Sequence, residues 1–217
     1  MEFKKLENKT VLDMVALLKE KYGEVEYYLR FSNPLELLVV AILSSQTRDT
    51  VVNQVTPALF EKYPCAKDFA MAEEDELKGY ISKISFAGKK AKNVKEACRL
   101  LLEKHQGKVP ESIEELCLLP GIGRKTANAI MENAFNKVCG IPVDTHVIRL
   151  AYRIGFSESP YPGKIEKDLM EMIPQPEWKK FGLRLKSHGK EYCKTVPRCK
   201  SCFLASLCPK NGVTKSK

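Results

Sequence analysis

The chain has 217 residues, 44% of them hydrophobic, enough for one large domain or two small ones with ordinary cores. Thirty-six Lys and Arg against 27 Asp and Glu leave a net charge of +9, which points to a polyanionic partner, nucleic acid before an acidic membrane. No run of about 18 apolar residues is present, so no transmembrane helix and no membrane partner are expected. The opening residues Met1-Glu2-Phe3-Lys4-Lys5-Leu6-Glu7 lack the apolar stretch of a secretion signal. The expected location is cytoplasmic and nucleoid-associated, where eight cysteines are poor candidates for structural disulfides.

Along the chain the apolar pattern is helical. Val11, Met14, Val15, Leu17 and Leu18 form a stripe at helical spacing. Asn33-Pro34-Leu35-Glu36 is a helix start, with Asn as N-cap, Pro at the first position and Glu at the third. The residues that follow, Leu37 to Leu43, are apolar on nearly all sides and predict a buried helix. Thr47 is expected to cap a helix carrying Val51, Val52, Val55, Ala58, Leu59 and Phe60, which Pro64 ends. Further helical stretches fall near 67–72, 74–84, 89–104 and 111–118, the last broken by Pro120 and Gly121. Cys98 and Cys117 lie in apolar, helix-like runs and read as small core residues. Period-two alternation is not sustained anywhere, so the fold class is all-α. The polar tail from Asn211 to Lys217 is expected to fray.

The most informative segment is Leu119-Pro120-Gly121-Ile122-Gly123-Arg124-Lys125-Thr126-Ala127-Asn128. Two glycines allow a tight turn and close approach of the backbone to another surface. The residues from Lys125 onward read as a helix start, where N–H groups favour a phosphate and the dipole disfavours a protonated amine. On its own the segment is better explained by a plain helix connector with a solvated lysine. Pro142-Val143-Asp144-Thr145-His146 reads as a short extended link, with Asp144 in the N-cap position of a further helix.

Cys193, Cys199, Cys202 and Cys208 lie within sixteen residues in the pattern C-x5-C-x2-C-x5-C. Zinc sites usually carry two close cysteine pairs, whereas one close pair flanked by a cysteine on each side suits a four-cysteine iron–sulfur cluster better. Zinc remains the alternative. Such a centre would stitch a loop bearing Lys194, Arg198 and Lys200, cations placed to reach phosphates.

Taken together, the Leu-Pro-Gly-Ile-Gly-Arg-Lys-Thr-Ala-Asn run, the Val143-Asp144-Thr145-His146 run whose Asp144 follows Lys125 by nineteen residues, and the four-cysteine tail resemble endonuclease III. That family comprises helix-hairpin-helix DNA glycosylases with AP-lyase activity, and the resemblance covers the chain from about residue 10 to Cys208. It implies a two-lobed all-α protein. One lobe is a six-helix barrel over 29–144 with the hairpin at about 112–131. The other joins 1–28 to 145–217 and holds a [4Fe–4S] cluster on Cys193, Cys199, Cys202 and Cys208. By the same resemblance Lys125 is the catalytic nucleophile and Asp144 the catalytic acid. Gly121, Gly123 and Arg124 meet the DNA backbone, and Gln46 fills the gap left by an extruded base. Phe86 is the wedge beside it, and Lys89, Lys190, Lys194 and Arg198 grip phosphates. The expected partner is double-stranded DNA containing damaged pyrimidines or abasic sites, bound by a monomer.

Two features depart from the family pattern. The first inter-cysteine spacer has five residues where six are more usual. The loop Ile84-Ser85-Phe86-Ala87-Gly88-Lys89-Lys90-Ala91 carries Ala87 and Gly88 where larger residues are more usual, which bears on lesion preference.

Overall fold

The computed structural model describes residues 2–217, and within them the chain is entirely helical apart from turns and links, with no strand among the described residues. It divides into two compact units. One runs from Tyr27 to Cys139 and the other combines the residues up to Glu26 with Gly140–Lys217.

The first helix, α1 (Asn8–Tyr22), belongs to the terminal unit and buries Val11, Met14, Val15 and Leu18. The next seven helices make the other unit. They are α2 (Pro34–Ser44), α3 (Asp49–Lys62), α4 (Ala66–Met71), α5 (Glu74–Tyr80), α6 (Ala87–His105), α7 (Ile113–Cys117) and α8 (Arg124–Phe135). The chain then returns to the terminal unit as α9 (Thr145–Ile154), α10 (Pro162–Met172) and α11 (Phe181–Glu191).

The start of α2 forms as its sequence dictates. The Asn33 side chain accepts a hydrogen bond from the Glu36 N–H at 2.9 Å, and the Glu36 carboxylate accepts one from the Ser32 N–H at 2.6 Å. Leu37 to Leu43 are all buried, because α2 is packed by α3, α6 and α8 at once. A helix enclosed on several sides needs apolar residues all round. Behind α6 lie α4 and α5. In the terminal unit, α1 and α9 both pack on α11 around Met14, Leu18, Leu150, Phe181 and Leu185.

The division falls at 139/140 rather than at 144/145. Ile141 and Val143 are already in the core of the terminal unit, so the link that carries Asp144 belongs there. Two other expectations are corrected. Cys98 is a buried core residue, but Cys117 is exposed, because α7 is a five-residue helix that buries only Ile113 and Leu116. The tail does not fray. Asn211 is buried, its side chain accepting from the Lys4 N–H at 3.0 Å and donating to the carbonyls of Lys4 at 2.9 Å and Tyr152 at 3.1 Å. At the last residue, the Lys217 N–H donates to Pro197 O at 2.8 Å.

This amide ties both backbone groups of Lys4 to the end of α9. Asn211→Ala should therefore cost about 1–3 kcal/mol in denaturant unfolding, the usual penalty for stranding buried polar groups.

Candidate functional site

The hairpin between α7 and α8 is built from a buried anchor and an exposed rim. Leu119 and Ile122 are buried in the core, while Gly121, Gly123, Arg124 and Lys125 are exposed. Gly121 has φ +86°, and a Cβ there would lie 3.0 Å from Asn93 Nδ2 and 3.2 Å from Ile42 Cγ2. Only glycine fits that backbone conformation in that space. Gly123 occupies the N-cap of α8, and nothing lies within 4 Å of where its Cβ would stand. Lys125 is the second residue of the helix, whose first turn contains no acidic residue. The positive end of the α8 dipole is thus offered to solvent, an arrangement that favours an anion and disfavours an ammonium.

Beside the hairpin opens a groove of about 1020 Å³ including its mouth, lined by Ile42, Ser45, Gln46, Phe86, Lys89, Lys90, Asn93, Pro120 and Gly121. Four of the residues expected to meet DNA therefore converge in one place: Gln46, Phe86, Lys89 and Gly121. Gln46 (φ 52°) and Phe86 (φ 59°) both adopt left-handed backbone conformations. Such conformations cost a non-glycine residue on the order of 1 kcal/mol and concentrate at functional sites. Phe86 is 65% exposed at the start of α6 and is not a core residue.

Thr47 is not the cap of α3. That helix begins at Asp49 behind Arg48, which makes no side-chain cap. The Thr47 hydroxyl instead accepts a hydrogen bond at 3.0 Å from Lys90 Nζ, which also donates to Leu43 O at 2.7 Å and to Ser45 O. Burial pulls the Lys90 ammonium below the ordinary lysine range. Lys90 and Asn93 were absent from the expected site. The signal for Lys90 was its register, since position 90 falls on the buried face of α6 with Ala91, Val94, Ala97 and Leu101.

In the terminal unit Asp144 caps α9. Its Oδ1 accepts from the N–H groups of His146 at 2.8 Å and Val147 at 2.9 Å, and the side chain is half-buried. Along α9, Arg149 and Arg153 reach the loop that opens the cysteine cluster. Arg149 Nε donates to Cys193 O at 3.1 Å, and Arg153 donates to the carbonyls of Lys194 at 2.6 Å and Thr195 at 2.8 Å. Lys190, in the last turn of α11, is exposed, as are Lys194 and Arg198 on the loop.

Cys193, Cys199, Cys202 and Cys208 all line one cavity of about 400 Å³ including its mouth, with Ile154, Leu204 and Val213 among its apolar walls. Arg153 Nη1 lies 3.5 Å from Cys193 Sγ, and His188 Nε2 lies 3.7 Å from Cys202 Sγ. Burial pushes the Cys208 thiol up to about 11 and raises Cys202 as well. Among the described residues, no three His, Cys, Asp or Glu side chains converge as they would around a single metal ion. Four cysteine sulfurs around an apolar cavity are a donor set that suits zinc or an iron–sulfur cluster.

The sequence profile of the HhH-GPD superfamily base excision DNA repair proteins matches residues 39–175. Endonuclease III of Synechocystis sp. is 43% identical over 198 residues, covering 91% of this chain and 90% of that protein. Endonuclease III of Bacillus subtilis is 38% identical, covering 91% and 92%. Among solved structures, a trapped endonuclease III–DNA covalent intermediate in an estranged-adenine complex superposes with a TM-score of 0.89 at 37% identity, covering 94% of this chain and 97% of the other. The chain belongs to the endonuclease III family of HhH-GPD base excision repair proteins, the bifunctional DNA glycosylases and AP lyases.

Proposed function

We propose that the chain, acting as a monomer on nucleoid DNA, releases oxidised pyrimidines by attack of Lys125 and then cuts the strand at the same nucleotide. The observation that carries this reading is the meeting, at one groove, of the hairpin turn that leads to Lys125 with the exposed pair Gln46 and Phe86. A base inside a duplex is out of reach, so it must be extruded at a cost of a few kcal/mol. An oxidised pyrimidine that has lost aromaticity stacks poorly and leaves more readily. Gln46 fills the vacated space and Phe86 wedges beside it, their strained backbones holding both side chains ready. The N–H groups at Gly121 and Gly123, with Arg124 and Lys89, hold the DNA backbone.

Lys125 attacks only as the neutral amine. At an ordinary pKa of about 10.4, roughly one lysine in 2,500 is neutral at pH 7, so the positive end of α8 works in the direction catalysis requires. The amine nitrogen bonds to C1′ as the glycosidic bond breaks, and the base departs with the bonding electrons and is protonated. Loss of the amine proton and opening of the sugar give an imine between Lys125 and C1′. Removal of a C2′ proton then forms the C2′–C3′ double bond and expels the 3′ phosphate. Water hydrolyses the imine and frees the lysine. Asp144 stabilises the positive charge developing on the sugar and relays protons, while its Oδ1 keeps the α9 cap.

Cys193, Cys199, Cys202 and Cys208 hold a [4Fe–4S] cluster in this reading. The cluster, when bound, supplies four metal–sulfur bonds that cross-link the loop. That cross-link keeps Lys194 and Arg198 in place as phosphate contacts, with Lys190 beside them in sequence.

Borohydride reduction with abasic duplex DNA tests the covalent step. The parent should be trapped as a protein–DNA adduct and Lys125→Ala should not; trapping of the variant at the parental level would refute the assignment. On a duplex carrying an oxidised pyrimidine, Asp144→Asn, an equally good helix cap, should fold normally and bind DNA while base release falls by about 10²–10⁴-fold. The cluster is checked by metal analysis: about four irons per chain with broad absorption near 400 nm are expected, and a colourless protein with one zinc would overturn it.

A further inference from the structure

Lys90 is the one buried lysine that lines the groove, and its three acceptors bracket Gln46 in sequence. The ammonium bonds Leu43 O in the last turn of α2, Ser45 O immediately before Gln46, and Thr47 Oγ1 immediately after it. A helix C-terminus leaves carbonyls without intrahelical partners and favours a cation, so the charge is well placed. The backbone N–H of Lys90 also donates to Phe86 O at 3.1 Å. One residue therefore bonds directly to the backbone of Phe86 and to the neighbours of Gln46 on both sides. Those two residues are the strained, exposed pair at the mouth of the groove.

We propose that Lys90 is a positioning residue for lesion recognition: it clamps the turn after α2 so that Gln46 is held in the left-handed conformation from which it fills the space of an extruded base. This rests on the glycosylase reading given above. Without the clamp, the turn relaxes toward ordinary backbone conformations and must be reordered on each encounter with a gap in the stack. Lys90 does not touch the reacting atoms, and its effect passes through Gln46. The two residues should therefore be energetically coupled rather than independent.

The test is a double-mutant cycle. Affinity for a duplex carrying a tetrahydrofuran abasic-site analogue is compared with affinity for the undamaged duplex by fluorescence anisotropy. The proteins are the parent, Lys90→Met, Gln46→Ala and the double variant. Lys90→Met should lower the preference for the damaged duplex about tenfold, leave undamaged-duplex affinity within about twofold, and make Gln46→Ala nearly silent when added. Preference unchanged in a folded Lys90→Met, or losses that multiply independently, would overturn the inference. If Lys90→Met does not fold, Thr47→Val decides: it removes one acceptor and should weaken the preference about threefold, with Thr47→Ser restoring it. A Thr47→Val protein with full preference would overturn the clamp. A parent that shows no preference for the damaged duplex, or a Lys125→Ala protein that still traps on borohydride, would instead overturn the glycosylase reading.

Discussion

The site is organised by a single steric constraint, the left-handed turn at Gly121 pressed against Ile42 and Asn93. Those contacts come from α2 and α6, which also carry the Gln46 turn and Phe86. Packing the hairpin on these two helices therefore fixes its turn and the groove with one set of contacts. Ile122 drives the turn into the core on one side, and Gly123 leaves it open on the other. The start of α8 is secured by Ala127, Ile130 and Met131, all buried, which lets Lys125 stand exposed without loosening the helix. Rigid support beneath Lys125 suits the proposed attack on one sugar carbon.

The terminal unit uses α9 in a comparable way. Asp144 caps its first turn, and Arg149 and Arg153 tie its outer face to the loop of the cysteine cluster. A close approach helps to hold the link before it, since a Cβ on Gly182 of α11 would come within 2.8 Å of Pro142 O. The short spacer after Cys193 is accommodated, because all four cysteines still face one cavity. The loop that begins at Cys193 and the helix capped by Asp144 are thus parts of one hydrogen-bonded arrangement within the unit.

What could be read from the sequence was whatever chemistry is local. Asn33, Pro34 and Glu36 declare a helix start within four residues, and Asp144 declares another, because caps act through neighbours two or three positions away. The cysteine spacing and the Gly-x-Gly turn are likewise short-range patterns. Residues whose partners are distant in sequence were not legible. Thr47 looked like a cap, since its true partner lies forty-three residues on, at Lys90. Asn211 looked like part of a frayed tail, although its partners are at Lys4 and Tyr152. Cys117 looked apolar and internal, but a helix of five residues is too short to bury all its faces. Lys90 itself was hidden by its charge, which outweighed a register placing it on the inner face of α6.

The central claim, that the hairpin turn grips the DNA backbone and so aims Lys125, is tested most directly at Gly123. Its backbone, at φ −106° and ψ 172°, suits any residue, and a methyl group there meets nothing in the free protein. Gly123→Ala should leave stability within about 1 kcal/mol of the parent. The same methyl would stand where a phosphate must approach, so affinity for duplex DNA carrying an abasic-site analogue should fall roughly 10–100-fold, the scale of one lost charged hydrogen bond. A folded Gly123→Ala protein that binds that duplex as tightly as the parent would contradict the account.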